Sequence, residues 1–186
     1  MFEFSQFPGI TTERLRLRRL SPDDAGNIHA LFGDPEVLRF LTKPLVTSRD
    51  DGLERIGLFD GKFQRQESLD WAIELGADGR TFIGICGISS WNRTDRRVDI
   101  GYALLREYWG RGFATEAARA IVRWCFENLD VHRVQADCTD GNIGSERVLL
   151  NCGFHHEGTW RESCWEHGRF VNIKQFGLLR REWEAT

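Results

Sequence analysis

From Thr11 to Leu20 apolar and basic positions alternate, with Leu15, Leu17 and Leu20 set against Arg14, Arg16, Arg18 and Arg19. That period predicts a half-buried strand whose basic outer face is solvated. Ser21-Pro22-Asp23-Asp24 has the form of a helix start, with a capping serine, a proline at the first helical position and acids in the first turn. The helix carries Ile28, Leu31 and Phe32 inward and ends at Gly33. A short piece from Pro35 to Leu41 follows, and Thr47-Ser48-Arg49-Asp50 opens another helix reaching about Gln66. Phe40, Phe59 and Phe63 read as core or wall packing, with a pocket lining as the alternative. Next come three strands of an antiparallel meander, Leu69 to Leu75, Thr81 to Trp91 and Arg97 to Leu105, turning at Gly76-Ala-Asp-Gly79 and Asn92-Arg-Thr-Asp95. Gly84 and Gly87 weaken the second strand and mark bulges or a close backbone approach.

From Phe113 the period becomes helical, since Ala114, Ala117, Ala118, Ile121 and Cys125 form one apolar stripe. Val131 to Cys138 is a strand after a helical crossover, so it should lie parallel to the strand before the helix. Asn142 to Cys152 is a helix closed by Gly153, and Phe154 to about Glu182 reads as a terminal hairpin turning at Glu166-His-Gly168. The expected fold is α/β, a mixed sheet of about seven strands flanked by helices. No internal boundary or repeat appears, which predicts a single domain over residues 1–186.

Composition narrows the class rather than the function. The 186 residues are 41% hydrophobic and 28% charged, as in ordinary globular proteins. No apolar run approaches the roughly 20 residues that span a bilayer, and Met1 to Pro8 has neither a basic end nor a signal-peptide apolar block. A cytoplasmic protein with no membrane partner is the default expectation. Five scattered cysteines without a Cys-x-x-Cys pair disfavour a disulfide framework and a zinc site, and no histidine spacing suits a metal. The net charge of −3 gives no reason to invoke nucleic acid and is compatible with a cationic amine.

The stretch Val98 to Phe126 reads as a strand, a glycine turn and a long helix. A helix start offers unpaired N–H groups and partial positive charge to an anion, and Gly110 and Gly112 let the backbone approach one, with Arg111 between them. Several anions would fit, and an ordinary strand-to-helix turn would show the same glycines. Tyr108-Trp-Gly-Arg-Gly-Phe-Ala-Thr-Glu-Ala117 further resembles the acetyl-CoA signature of the GNAT superfamily of N-acetyltransferases. Asn142-Ile-Gly-Ser-Glu-Arg-Val-Leu-Leu-Asn-Cys-Gly-Phe154 is similar to the family's second signature, which borders the thioester in relatives. Trp109 before the first glycine is similar to the ribosomal-protein N-acetyltransferase branch.

The resemblance implies acetyl-CoA as co-substrate, bound between two splayed strands, and no metal. Its pyrophosphate would meet the N–H groups from Arg111 through Gly112, Phe113 and Ala114 to Thr115, and its pantetheine the main chain of Leu104, Leu105 and Arg106. Asn142 is read as a cofactor contact or a helix cap. Asp99 stands where such enzymes often carry the glutamate base, with a plain ion pair to Arg97 or Arg133 as the alternative. Ser145 resembles the serine proposed to protonate the leaving thiolate. Some members place a catalytic glutamate where this chain has Cys164. Glu162 and Glu166 flank it and, on a regular strand, would share its face, so Glu162 joins the catalytic candidates. Cys138 reads as a buried thiol rather than an acyl carrier, and Trp160 and Trp165 border the acceptor or simply pack. The implied acceptor is a peptide N-terminal α-amine or, failing that, a small cationic amine, with a non-catalytic acyl-CoA-binding module as a further alternative. The branch also allows a homodimer.

Overall fold

The computed structural model describes residues 4–41, 43–76 and 81–185. The chain opens with β1 (Ile10–Thr11) and β2 (Leu15–Arg19), then α1 (Ala25–Gly33), α2 (Pro35–Leu38) and α3 (Arg49–Gln64). The meander is β3 (Leu69–Leu75), β4 (Thr81–Asn92) and β5 (Arg97–Leu104). There follow α4 (Phe113–Asn128), β6 (Arg133–Thr139), α5 (Ile143–Asn151), β7 (His155–Glu166), β8 (Arg169–Leu179) and α6 (Arg180–Trp183). The strands form one sheet in the order β1-β2-β3-β4-β5-β6-β8-β7. Eight strands stand where about seven were expected, the extra one being the two-residue β1. Of the expected turn at Gly76-Ala-Asp-Gly79, residues 77–80 lie outside the described residues.

Helix starts follow the residues predicted for them. Asp24 accepts the Ser21 N–H at 2.8 Å, and Ser48 and Asp51 form a reciprocal capping box, with Asp51 N–H to Ser48 Oγ at 3.1 Å and Ser48 N–H to Asp51 Oδ2 at 3.0 Å. Both faces of the sheet are covered. Leu17, Trp71, Ile88, Val98 and Val134 pack with Ile121 of α4 and Leu149 of α5 on one face, while Ala72 and Ile85 meet Ile28, Leu31 and Ile56 of α1 and α3 on the other. This explains why β3 and β4 read as nearly continuous apolar runs. Gly87 and Gly84 mark close approaches, since a Cβ would meet Leu69 O at 2.4 Å or Ala103 O at 2.2 Å.

Arg16 and Arg19 of β2 are exposed, as a solvated face requires, but Arg18 is drawn inward. Arg18 donates from Nε to Glu74 at 2.6 Å and from both Nη atoms to Asp24 at 2.7 and 2.8 Å, and the two carboxylates are only 5% and 3% exposed. One guanidinium thus ties β2 to β3 and to the start of the α1 region. Burial opposes ionisation of Asp24, yet the Arg18 hydrogen bonds, the Ser21 N–H, the Arg18 charge and Asn27 together outweigh it and hold the carboxyl below the usual range.

The key feature for function is where the ladder stops. The parallel pairing of β5 and β6 covers only Arg97 with Arg133, Val98 with Val134 and Asp99 with Gln135. Beyond Asp99, β5 stays on β4 as far as Leu104 while β6 stays on β8 as far as Thr139, so a cleft opens between them.

Removing the Arg18 charge should leave two buried carboxylates uncompensated. Arg18→Met is expected to lower unfolding free energy by about 3–5 kcal/mol in urea titration. The Asp24 contribution is present above the ordinary carboxylate pKa near 4 and lost as pH falls through its lowered value, so wild-type stability should drop in acid and the variant's should drop less.

Candidate active site

One face of the cleft carries the start of α4. Gly112 caps it in the left-handed region (φ 79°), and Gly110 is also left-handed (φ 71°). The first bond of the helix runs from Glu116 N–H to Gly112 O at 3.0 Å, so the N–H groups of Phe113, Ala114 and Thr115 lie ahead of the ladder and are free for an anion. A strap from the chain's beginning fixes this turn. Glu116 accepts from Thr12 Oγ1 at 2.6 Å, from the Arg14 N–H at 2.9 Å and from Arg14 Nε at 2.6 Å, and Arg14 Nη1 donates to Arg111 O at 3.1 Å. The Arg14 guanidinium also sits 4.6 Å from the centre of the Phe113 ring.

Along the β5 lip, the expected run of pantetheine contacts is only partly available. Leu105 has both main-chain groups engaged, its N–H with Ile83 O at 2.9 Å and its carbonyl with the Tyr108 N–H at 3.0 Å. The Leu104 carbonyl accepts the Trp109 indole N–H at 2.8 Å. Amide direction alternates along a strand, so the Leu104 N–H faces away from β4, into the cleft. By the same alternation the Tyr102 N–H faces the cleft too, so Leu104 offers one of the donors on that lip. Arg106 lies in the turn beyond, where its carbonyl accepts the Trp109 N–H at 3.1 Å.

Across the back of the cleft lies Ser145. Asn142 caps α5 by accepting the Ser145 N–H at 3.1 Å, which orients the serine. The Ser145 hydroxyl is 2.9 Å from the Tyr102 hydroxyl of β5, which ties α5 to that lip. Burial pushes the Cys138 thiol up to about 11 and raises the Tyr102 phenol, and both stay protonated near neutrality. A neutral buried thiol is a poor nucleophile, in keeping with the packing reading of Cys138.

Asp99 lies on the opposite face, that of α1 to α3. It pairs with neither Arg97 nor Arg133, which bind Asp95 at 2.8 Å and Glu157 at 2.5 Å. Instead, Asp99 Oδ1 accepts from Gln135 Nε2 at 2.7 Å on the last paired rung before the cleft. Gly101, next on the same face, has no atom within 4 Å of where a Cβ would sit, so the floor there is open. Asp137 follows Gln135 on the same face of β6, and burial together with Asp99 and Glu166 raises its carboxyl while Lys43 opposes the rise. Sequence reading missed Asp137, although the parallel register of Asp99 with Gln135 and the period of two would have found it.

Glu162 stands apart from this group. The β7–β8 register shifts between Trp160 and Cys164, and Glu162 takes φ 49° with its N–H donated to Asn172 Oδ1 at 3.0 Å. The bulge breaks the even spacing that would have put Glu162 and Glu166 on one face, and Glu162 is exposed. Glu166 is the carboxylate turned inward, 6% exposed and accepting from Thr139 Oγ1 at 3.0 Å. It lines a half-open cavity of about 830 Å³ with Phe40, Lys43, Thr139 and Arg169, beside α2 and at the open end of the cleft. His167, at the hairpin turn, reaches Leu38 O at 3.1 Å and ties the hairpin to α2 across it. Trp160 and Trp165 are 61% and 58% exposed, the latter packed edge-on against Phe170. Phe63 packs with Phe4 and Phe7, whereas Phe40 lines the cavity. Among the described residues no group of His, Cys, Asp and Glu side chains is arranged to hold a metal ion.

Half-buried Asp70 of β3, on the face of Asp99, has its carboxyl pushed up to about 6 by desolvation, against the Ser68 hydrogen bond at 2.9 Å. A folded-state pKa raised above the unfolded value near 4 means that stability falls as pH rises from about 4 to about 6 and is level above. Asp70→Asn should abolish that fall, as read from thermal midpoints taken across the interval.

Residues 14–155 match the family model described as an acetyltransferase (GNAT) domain. The chain is 33% identical over 174 residues to the uncharacterized N-acetyltransferase YoaA of Bacillus subtilis, covering 94% of this chain and 98% of that protein. It is 26% identical over 182 residues to the [ribosomal protein uS5]-alanine N-acetyltransferase of Escherichia coli, covering 94% and 92%. Among solved structures, spermidine N-acetyltransferase from Vibrio cholerae in complex with CoA and spermine superposes with a TM-score of 0.81 at 22% identity, covering 93% and 99%.

Proposed function

The chain belongs to the GNAT acetyltransferase family and is an acetyl-CoA-dependent N-acetyltransferase, and from that premise we propose that its acceptor is a protein or peptide N-terminal α-amine. The observation that carries this reading is the acceptor side of the cleft. A small polyamine calls for a closed, acidic pocket, whereas the cavity here is half-open and holds cations as well as acids. The similarity to the enzyme acting on the alanine of ribosomal protein uS5 supports the same choice. Likeness to the spermidine enzyme lies in the fold, which does not select the acceptor.

The residues divide the work by face. Acetyl-CoA supplies an acetyl group activated as a thioester. The N–H groups of Phe113, Ala114 and Thr115, with Arg111 beside them, hold the pyrophosphate, as the helix start allows. The Leu104 N–H, a donor on the β5 lip, stabilises the oxygen that gains charge when the amine attacks. Asp99 takes the amine's proton, directly or through one water over Gly101, while Gln135 holds its other oxygen. Ser145 donates its hydroxyl proton toward the departing sulfur as the C–S bond breaks, and Tyr102 behind it can replace that proton. An α-amine, with a pKa near 8 against about 10.4 for lysine, makes the deprotonation easier.

Asp99→Asn is expected to lower kcat about 10²–10⁴-fold on a peptide α-amine, and Ser145→Ala less, both leaving acetyl-CoA affinity near wild type. Product should be followed by mass spectrometry, because the partly exposed Cys152 and Cys164 can themselves react with thiol dyes. Full activity in Asp99→Asn would remove it as the base. Turnover of small amines alone would replace the peptide reading.

A further inference from the structure

The charges around the acceptor cavity are segregated. At its rim stand Arg39, Lys43 and Arg169, all exposed. Arg39 reaches Glu36 only at 4.0 Å, and neither Lys43 nor Arg169 forms an ion pair among the described residues. Of the cavity's other acids, Asp140 is paired with Lys174 at 3.1 Å, while Glu166, 6% exposed, accepts from the uncharged Thr139 hydroxyl at 3.0 Å and is an acid of the interior. The exposed charges at the rim without an ion pair among the described residues are those of Lys43 and Arg169. Deeper in, toward the cleft, the charge is negative, with Asp99 and Asp137 on one face and Asp137 within electrostatic reach of Asp99, Glu166 and Lys43. Between the two zones lies Gln175, in register with Asp137, whose Nε2 is buried without a hydrogen-bond partner among the described residues.

We propose that the acceptor is an acidic peptide N-terminus, one whose α-amine is followed at once by carboxylate side chains. The α-amine enters between Asp99 and Asp137, its first main-chain carbonyl accepts from Gln175 Nε2, and the carboxylates behind it meet Lys43 and Arg169. This rests on the reading of the acceptor as a peptide α-amine and specifies it. A buried amide donor without a partner is costly to the protein alone and is satisfied by an extended peptide. A polyamine would instead set its second ammonium group against Lys43 and Arg169.

The test compares kcat/KM, by mass spectrometry, for peptides beginning with serine and continuing Asp-Glu, Ala-Ala or Lys-Lys, with spermidine as a fourth acceptor. The acidic peptide should exceed the basic one by about tenfold or more, with the gap narrowing as salt is raised. A Lys43→Glu/Arg169→Glu variant should invert the order, and Lys43→Gln/Arg169→Gln should flatten it, with the neutral peptide reporting whether each variant is folded and active. Equal rates on the three peptides, or an order unchanged in both variants, would overturn the charge assignment and leave the α-amine reading standing. Acetylation of spermidine with none of the peptides would overturn both.

Discussion

Three backbone pairs hold β5 against β6, and the function of the molecule depends on there being no more. Each strand keeps its other neighbour, β4 and β8, beyond the last rung, so the sheet continues upward as two separate plates. Edges that face each other without pairing leave N–H and C=O groups that must find partners elsewhere. The protein satisfies some of them itself, as when Trp109 occupies the Leu104 carbonyl. Those that remain define where a second extended chain, such as a pantetheine arm, can lie as a substitute strand.

On the proposed reading, the two plates would also separate the reactants by charge. The polyanionic donor would approach toward the start of α4 and the cationic acceptor past Asp99, on the opposite face. Ser145 is held between them by its cap and by Tyr102. Reactants so placed would meet only at the acetyl carbon, which is the geometry that direct transfer requires.

Much of this was legible in the sequence because local rules agreed with the global result. Ser48, Gly112 and Asn142 each mark a helix start by their own chemistry, and β3 to β5 fall within a residue or so of where alternation puts them. What stayed hidden depended on partners far along the chain. Alternation says that Arg14 and Arg18 point away from the core of β2, but not that Glu116, Asp24 and Glu74 wait there. Period two likewise fails at Glu162, where one bulge turns the neighbouring carboxylate, Glu166, into the inward one. Nor does a residue's place on the lip reveal which way its amide points, as at Leu105, whose N–H turns to Ile83 O.

The family signature spans residues 14–155 and holds both lips of the cleft, yet pieces that brace them lie outside it. Thr12, which helps to anchor Glu116, precedes it, and Pro8 O accepts the Trp71 indole from earlier still. At the other end, β8 follows it, and β8 is the neighbour that pairs β6 along its whole length from Arg133 to Thr139. A polypeptide trimmed to the recognisable stretch would retain every motif and lose one wall, because β6 would have open edges on both sides above Gln135. The stretch that carries the family match and the stretch that carries the whole sheet are thus different objects, and the second is the longer.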